Sequence, residues 1–513
     1  MSSHASIASP LPPPETAAET VTPAVSGDLR GQAVRGGAIT GAAQIVKFCL
    51  NIGSTVMLAR LLTPADYGLF AIVTGVTGII EVFKDGGLSM ATIQRDRISG
   101  EQQTTLFWLN VALGGGLMLL TLGLTPLITH LYYEPRLAGI MASLAATFLI
   151  GGIGVQHQAL LRRQLRFGTA AAIDIASISA GALVALLLAW RGYGYWALVG
   201  MAICSTLTST VAAWLSVSWR PGRAAAFAEV RPLLAFGGNI IGTRLVLQFV
   251  RTSPSILLGA YWGPATVGIY QRAYALLMYA VDQIQGPVST VLLPHLSRLQ
   301  QDPERQKRVF LLAYRAIVSV IVPLVVTCAV YSEEVVALML GSQWTETAAV
   351  FRWLALGGIA VGLNSSQGLL LFATGRADTC SRMALIDAVS VVIGYAAGVS
   401  HGALGVAMGF CAAKLLLSVP LTVATFRETR VTWRDILEVV RAPLLATGLA
   451  ALAGGLLKFA LIGSLRPPLL AVAGGGATLA LYAAILLFGA RQWSFYRGLV
   501  AELRPRLSPI PSN

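Results

Sequence analysis

Two long apolar stretches of this sequence carry polar side chains at the three- and four-residue spacing of one helix face. The members of these two stripes are Gln44, Lys47, Asn51 and Ser54 in the first stretch, and Arg244, Gln248 and Arg251 in the second. Neighbouring stretches add Glu81, Lys84, Asp85, Arg272 and Asp282. A charge at the centre of a bilayer costs about 2.5–3.5 kcal/mol even on a mild insertion scale. Each group therefore needs a partner, a cavity or a route to the interface.

These polar groups could bind a phosphate or pyrophosphate group. The candidate binding residues are Lys47, Lys84, Arg244, Arg251 and Arg272, with the amides of Gln44, Asn51 and Gln248. The bases outnumber the acids expected in the same cavity, and arginine can hold a phosphate through two parallel hydrogen bonds. The alternative is that the charges only fix helix packing. In that case Lys84 pairs with Glu81 three residues earlier. The arginines then pair with Asp85 or Asp282.

The composition places these stripes in a membrane protein. Hydrophobic residues make up 55% of the 513 residues and charged residues only 12%, whereas about a quarter of a soluble protein is charged. Apolar runs of about 20 residues, long enough to span a bilayer as a helix, recur along nearly the whole chain. They predict an all-α polytopic membrane protein with about fourteen transmembrane helices.

The net charge of +14 follows the predicted topology. Most lysine and arginine residues fall in alternate loops, as in the runs at 162–166 and 427–434, whereas the opposite loops hold only Arg60, Arg136, Arg191 and Arg466. By the positive-inside rule, both termini are cytoplasmic. The basic excess is therefore membrane-surface charge, and no nucleic-acid partner is expected.

A sequence motif occurs twice. LARLLTPADYGLF runs from Leu58 to Phe70, and LGAYWGPATVGIY runs from Leu258 to Tyr270, each between two predicted helices. HQALL at 157–161 resembles SQGLL at 366–370, and IDIAS at 173–177 resembles IDAVS at 386–390. Helices 1–6 thus correspond to helices 7–12, and an even number of crossings makes this a parallel repeat about an axis along the membrane normal.

The repeat predicts two six-helix lobes around a central cavity, followed by two C-terminal helices. The predicted boundaries are 1–34 for a disordered cytoplasmic tail, 35–219 for the N-lobe, 220–430 for the C-lobe, 431–492 for helices 13 and 14, and 493–513 for a second cytoplasmic tail. Four acids are candidates for binding a coupling ion: Asp85, Asp174, Asp282 and Asp387. For Asp174 and Asp387, which are equivalent in the repeat, helix capping or pairing with Arg166 or Arg382 is the competing expectation.

Signatures of an enzyme, a cofactor site or a metal site are absent from the sequence. It has no GxxxxGK nucleotide loop, no HExxH motif and no CxxC pair. No predicted loop is long enough for an extramembrane catalytic domain. The five cysteines lie in or beside apolar spans, where they act as small apolar residues.

Several stretches resemble one transporter family. ARLLTPADYGLF, FKDGGLSMATIQR (83–95), GIYQRAYALL, VSTVLLPHLSRLQ (288–300) and MLGSQWTETAAVFRWLAL (339–356) are similar to the Wzx-type polysaccharide flippases. These flippases belong to the multidrug/oligosaccharidyl-lipid/polysaccharide (MOP) exporter superfamily, and the colanic-acid-exporter-like branch resembles this chain best. The resemblance covers about residues 30–490. It implies a MATE-like fold.

The resemblance also implies a function. It predicts alternating-access transfer of undecaprenyl-pyrophosphate-linked oligosaccharide across a bacterial inner membrane for exopolysaccharide, capsule or O-antigen synthesis. A polysaccharide polymerase and a chain-length regulator are the expected protein partners. A MATE-like small-molecule or drug antiporter is the alternative, and it predicts an acid-rich cavity. A glycan-polymerising enzyme and a scaffold without transport remain as weaker alternatives.

Overall fold

The computed structural model describes residues 29–84, 98–223, 227–427, 429–462, 464–490, 492–493 and 496–497, with backbone alone for 29–40, 227–241 and 243. No strand occurs among these residues. Fourteen long helices form the structure: α1 Leu29–Leu61, α2 Pro64–Glu81, α3 Gly100–Tyr132, α4 Arg136–Arg163, α5 Phe167–Trp190, α6 Trp196–Ser216, α7 Phe227–Trp262, α8 Pro264–Arg298, α9 Pro303–Val330, α10 Thr345–Asn364, α11 Ala377–Gly398, α12 Gly402–Arg427, α13 Trp433–Leu461 and α14 Pro467–Ala484.

The helices have the length and hydropathy of membrane spans. Ten helical segments of the described residues are long and apolar enough to cross a bilayer, and one of them, Ala377–Arg427, contains both α11 and α12. A short helix, Ser332–Met339, precedes α10, and the helix Gln367–Ala373 continues α10 after a break at Ser365–Ser366. The prediction of an all-helical, multi-pass membrane protein is confirmed, whereas the number of fourteen spans stays a prediction.

Two lobes of the same construction follow one another in the chain. In the N-lobe, α1 packs on α5, α3 on α4, α4 on α6 and α5 on α6. In the C-lobe, α7 packs on α11, α9 on α10, α10 on α12 and α11 on α12. Adding six to each helix number of the first set gives the second set. The two lobes therefore form the predicted parallel repeat, while the residue boundaries of the domains stay a prediction.

The repeated motif places α2 and α8 against each other. Each of these helices begins at a proline, Pro64 or Pro264, whose missing N–H is not needed at the first position of a helix. A Cβ added at Gly68 would overlap the Pro264 carbonyl, and a Cβ added at Gly268 would overlap the Pro64 carbonyl. The sequence predicts the motif as the connection between two helices, with the second helix opening near Gly68. In the structure the break is confined to Leu62–Thr63, and α2 already begins at Pro64.

The lobes also meet where α1 ends and α2 begins. We call this the outer end of the molecule, which the charge distribution predicts to be periplasmic. The carbonyls in the last turn of α1 lack partners within the helix. Trp344, from the segment before α10, donates its indole N–H to the Ala59 carbonyl at 2.8 Å. Gln343 donates to the carbonyls of Ala59 and Leu62, and Arg60 of α1 donates to the Leu338 carbonyl. The outer end is therefore closed by contacts between the lobes.

The last two helices are attached to the C-lobe. Helix α13 packs on α9, and α14 packs on α13 and on the short helix Ser332–Met339. The Tyr331 hydroxyl donates to the Gly454 carbonyl at 2.9 Å, and the Tyr482 hydroxyl donates to the Ser319 carbonyl at 2.8 Å. Large apolar side chains on the opposite face of α13, such as Leu452 and Phe459, are exposed. This exposed face is suited to contact lipid.

Candidate functional site

Lys47, the basic residue of the α1 stripe, is paired across the N-lobe. Its Nζ lies 3.0 Å from Oδ2 of Asp174 on α5, and the Asp174 side chain is about half exposed. Asn51 donates its amide N–H to the backbone carbonyl of Lys47, one turn earlier in its own helix. The expectation that Asp174 pairs with Arg166 is wrong. The α1–α5 packing brings Lys47 to Asp174, while Arg166 donates to the Ser216 carbonyl.

A cavity of about 360 Å³ lies beside this pair. Lys47, Asp174 and Lys84 line it, together with a set of neutral hydrogen-bonding side chains: Gln158, Ser177, Ser205, Thr206, Ser209 and Thr210. Lys84 follows the end of α2 and lies against Gly151 of α4, where an added Cβ would come within 2.7 Å of its Nζ. The cavity thus presents two ammonium groups, one carboxylate and many hydroxyls within one lobe.

Lys84 forms the ion pair that the packing alternative predicts. Its Nζ lies 3.4 Å from Oε1 of Glu81, three residues earlier, and the Glu81 side chain is mostly exposed. The Lys84 side chain is 22% exposed, but water reaches the Glu81 carboxylate and weakens the pair. Lys84 can therefore exchange Glu81 for a stronger anion at low cost. Asp85, the predicted neighbour of this pair, lies outside the described residues.

The α7 stripe carries two arginines that no described acid neutralises. Arg244 and Arg251 are both exposed, and neither forms an ion pair within the described part of the chain. Between them, Gln248 donates to the Thr252 hydroxyl at 3.3 Å, and its amide nitrogen lies against Gly78 of α2. This face of α7 therefore lies along the boundary between the two lobes. The predicted pairing of these arginines with Asp282 does not occur.

Arg272 lies apart from the other candidate bases. Its guanidinium carbon lies 4.3 Å from the centre of the Tyr67 ring, a cation–π contact between α8 and α2. Tyr67 in turn touches Trp344 edge-on, at 5.4 Å between ring centroids. Tyr67 and Lys84 are seventeen positions apart, roughly 25 Å along the helix direction. Arg272 therefore belongs to the closed outer end, and it does not join Lys47 and Lys84.

The C-lobe also contains a lysine–aspartate pair, but its lysine lies on α12, the equivalent of α6 and not of α1. Asp387 of α11, the repeat equivalent of Asp174, accepts a hydrogen bond from Lys414 of α12 at 2.6 Å. The partner expected from the sequence, Arg382, is not the one found. Asp282 is exposed on α8 and forms no ion pair among the described residues.

The site residues predicted from the sequence did not include Lys414, although it lies in a predicted span, or the glutamines that bridge helices in each lobe. Gln158 donates to Ser209 at 2.9 Å in the N-lobe, and Gln367 donates to Thr422 at 2.7 Å in the C-lobe. Both belong to the HQALL and SQGLL repeat, which was the available signal. The structure thus assembles Lys47, Lys84 and Asp174 at one cavity and lines up Arg244 and Arg251 on α7. Gln44 is exposed on α1, without a contact to this cavity.

Comparison with known proteins identifies the family. The model of the family described as polysaccharide biosynthesis protein matches residues 57–349, more than half of the chain. The chain belongs to this polysaccharide biosynthesis family. The lipopolysaccharide biosynthesis protein WzxC of Escherichia coli (strain K12) is 24% identical over 76% of this chain and 80% of the relative. The succinoglycan biosynthesis transport protein ExoT of Rhizobium meliloti (strain 1021) is 26% identical over 79% of this chain and 82% of the relative.

Two solved structures share the fold of this chain. The lipid II flippase MurJ, in an inward closed conformation, superposes with a TM-score of 0.71 at 15% identity over 90% of this chain and all of that one. An inward-facing multidrug resistance MATE transporter of the MOP superfamily gives a TM-score of 0.58 at 15% identity, covering 74% of this chain and 94% of that one. The predicted MATE-like fold is therefore confirmed, and the chain is a membrane protein of this superfamily's architecture.

Proposed function

We propose that the chain is a flippase that moves undecaprenyl-pyrophosphate-linked oligosaccharide between the leaflets of a bacterial inner membrane. Membership of the polysaccharide biosynthesis family supports this proposal, as do relatives named for lipopolysaccharide and succinoglycan biosynthesis. A solved structure that shares the fold is that of a lipid II flippase. The product would serve exopolysaccharide, capsule or O-antigen synthesis. A polymerase and a chain-length regulator are its proposed partners.

The observation that carries the proposal is the pair of exposed arginines on α7. Arg244 and Arg251 lie at the lobe boundary without acidic partners among the described residues. Two guanidinium groups on one helix face can hold a pyrophosphate through several charge-assisted hydrogen bonds. The oligosaccharide would then lie among neutral hydroxyls and amides such as those around the 360 Å³ cavity. The amides of Gln44, Asn51 and Gln248 remain part of this proposal.

Lys47 and Lys84 would join the pyrophosphate by exchanging partners. Asp174 and Glu81, which hold them, are 54% and 63% exposed. Water can therefore stabilise either carboxylate once its lysine turns to the substrate. Asp174 would be left uncompensated, and a proton or cation could then bind there. Asp85, Asp282 and Asp387 remain the other proposed coupling groups, and Arg272 would contribute only when the outer end opens.

Transport requires the closed outer end to open. With both termini cytoplasmic, the closed end faces the periplasm and the substrate enters from the cytoplasmic leaflet. Rocking of the lobes then breaks the contacts of α1 with the segment before α10 and exposes the site to the periplasm. A drug antiporter of the same fold would need free carboxylates for cationic drugs. Asp174 and Asp387 are each held by a lysine, so Asp282 is the only candidate acid without an ion pair among the described residues. The two arginines of α7 outnumber it, and this balance favours an anionic substrate.

A leaflet-exchange assay tests this function. The full chain is reconstituted in vesicles with a fluorescent polyprenyl-pyrophosphate oligosaccharide, and a membrane-impermeant glycosidase reports how much substrate reaches the outer leaflet. We expect wild-type protein to accelerate exchange, and Arg244→Ala with Arg251→Ala to slow it at least about tenfold, because charge-assisted hydrogen bonds contribute about 1.5–3 kcal/mol each. The matched control is Arg434→Ala, an exposed arginine of α13.

The outcomes separate the function from the site. If the wild-type protein leaves exchange at the rate of empty vesicles, the proposed flippase activity is wrong. If wild-type protein is active and the double variant, at equal membrane level, matches it, the activity stands and the α7 site is wrong.

A further inference from the structure

A cleft of about 600 Å³ lies in the C-lobe, at the end of the molecule opposite the outer end, which we call the inner end. It is separate from the polar stripe on α7. Four basic side chains line it: Lys307, Arg376, Arg427 and Arg430. Glutamine and threonine side chains fill the spaces between them, and none of the described lining residues is acidic. Glu428, between two of these bases in the sequence, lies outside the described residues. The lining therefore combines positive charge with neutral hydrogen-bonding groups.

Three separate chain segments build this cleft. The α8–α9 connection supplies one wall, the segment before α11 a second, and the α12–α13 connection the third. Gln300 donates to the Ala373 carbonyl at 2.6 Å, and the buried Gln306 donates to the Leu296 carbonyl at 2.8 Å. These bonds fix the segments relative to one another. The four bases therefore face one cavity of fixed shape. Basic residues that only set the orientation of the protein in the membrane would not need to face a common cavity.

Two acids outside the lining already pair with two of the bases. Asp435 at the start of α13 lies 2.6 Å from Lys307, and Glu304 lies 3.5 Å from Arg430. The Arg430–Glu304 pair is about two-thirds exposed on both sides, so it is easily exchanged. Arg427 is exposed and forms no ion pair within the described residues. Arg427 and Arg430, three residues apart, can turn together to one anion.

We propose that this cleft binds a phosphate group, with Arg427 and Arg430 as its principal ligands. Arginine pairs hold phosphate in a forked geometry, through several parallel N–H donors. Basic pockets between helices at the cytoplasmic face are suited to phospholipid head groups. A soluble phosphorylated molecule offers the same chemistry. Bound phosphate would tie α9 to the connections before α11 and α13.

The test compares the two sources of phosphate on the purified full chain. Native mass spectrometry counts phosphatidylglycerol bound in competition with phosphatidylcholine. The thermal midpoint is followed against added pyrophosphate in an Arg244→Ala, Arg251→Ala background, so that the proposed substrate site on α7 does not contribute. A ligand that binds only the folded state raises that midpoint. We expect Arg427→Gln with Arg430→Gln to reduce anion binding at least about fivefold. The matched control is Arg298→Gln with Arg434→Gln, which removes two exposed bases of the same region outside the cleft.

Each result decides the proposal. Reduced anion binding by the cleft variant, with normal binding by the control variant, supports the proposal. If the protein selects phosphatidylglycerol but its thermal midpoint does not respond to pyrophosphate, the ligand is a membrane phospholipid. A response to pyrophosphate without lipid selectivity assigns the site to a soluble ligand. Equal losses in both variants would show that only general basic charge attracts the anion, which overturns the proposal. Binding by the cleft variant at the wild-type level overturns it as well. Leaflet exchange, measured separately, tests only the flippase proposal.

Discussion

Lys458 of α13 and Glu334 of the short helix before α10 form the most enclosed ion pair among the described residues. Their side chains are 14% and 5% exposed, and the Nζ to Oε2 distance is 2.9 Å. Lys458 also donates to the Val330 carbonyl at 3.2 Å. The neighbouring Arg352 pairs with Glu333 at 2.8 Å, so two basic side chains meet the short helix before α10. Of these two, Lys458 is the one that ties α13 to the C-lobe.

Replacing Lys458 with methionine is expected to destabilise the protein strongly. The apolar length of the side chain is kept, but Glu334 is left as a buried charge without its nearest partner. Breaking a buried pair from one side costs about 3–5 kcal/mol. We expect the thermal midpoint of the detergent-solubilised protein to fall. Size-exclusion chromatography of heated samples measures that midpoint. A companion Glu334→Gln, Lys458→Met double variant should recover part of the loss, because neither charge then remains buried.

The control for this prediction is an exposed pair at the same outer end. Arg136 donates to both carboxylate oxygens of Glu134, at 2.7 and 2.8 Å, and these bonds lower the pKa of that carboxyl. Half of the Arg136 side chain is exposed, so Arg136→Met should change stability by no more than about 1 kcal/mol. If Lys458→Met lowered the thermal midpoint no more than Arg136→Met does, the buried pair would not have the stabilising role predicted here.

At the scale of helices, the repeated motif is a reciprocal contact. Gly68 of α2 faces the Pro264 carbonyl and Gly268 of α8 faces the Pro64 carbonyl, so each glycine admits the backbone of the other lobe. Glycine is needed at such positions because any Cβ would overlap the approaching carbonyl. The sequence revealed the repetition of the motif. It did not reveal that the two copies touch, because that depends on how the lobes are placed.

Gly68→Ala and Gly268→Ala are therefore expected to push α2 and α8 apart. Backbone carbonyls cannot move aside as a flexible side chain can, and overpacking typically costs about 1–3 kcal/mol. We expect each variant to show a lower thermal midpoint and slower leaflet exchange. Gly53→Ala on α1 serves as the control, since an added Cβ there meets nothing within 4 Å. A normal midpoint and rate in both motif variants would refute a tight contact.

At the scale of the whole molecule, the sequence predicted the fold better than the contacts. Apolar spans and the repeat were enough for two lobes of the same construction, because both depend on local pattern. The partner of Lys47 could not be predicted this way. Asp174 is 127 residues away and meets Lys47 only through α1–α5 packing. Likewise, Arg272 has the sequence features of a cavity residue, yet it stacks on Tyr67 because the lobes close at the outer end.

The closed outer end leads to a prediction about the balance between conformations. Gln343 and Trp344 donate to the last carbonyls of α1, and these bonds join the two lobes directly. A hydrogen bond contributes about 0.5–1.5 kcal/mol, so losing three shifts the equilibrium at least about tenfold toward an open outer end. Trp344→Phe keeps an aromatic ring against Tyr67 while removing the donor, and Gln343→Ala removes the other two bonds.

A cysteine at position 252 can report this opening. Thr252 of α7 is 3% exposed and lies against Gly75 of α2, at the lobe boundary. In a background with the five native cysteines replaced, Thr252→Cys should react slowly with an impermeant maleimide added outside cells. The Gln343→Ala, Trp344→Phe variant should react at least about tenfold faster.

Tyr331→Phe removes a hydrogen bond to α13 that does not cross between the lobes, so its rate should stay at the parent value. An equal acceleration by Tyr331→Phe would mean general loosening, and no acceleration by the double variant would mean that these bonds do not hold the outer end closed.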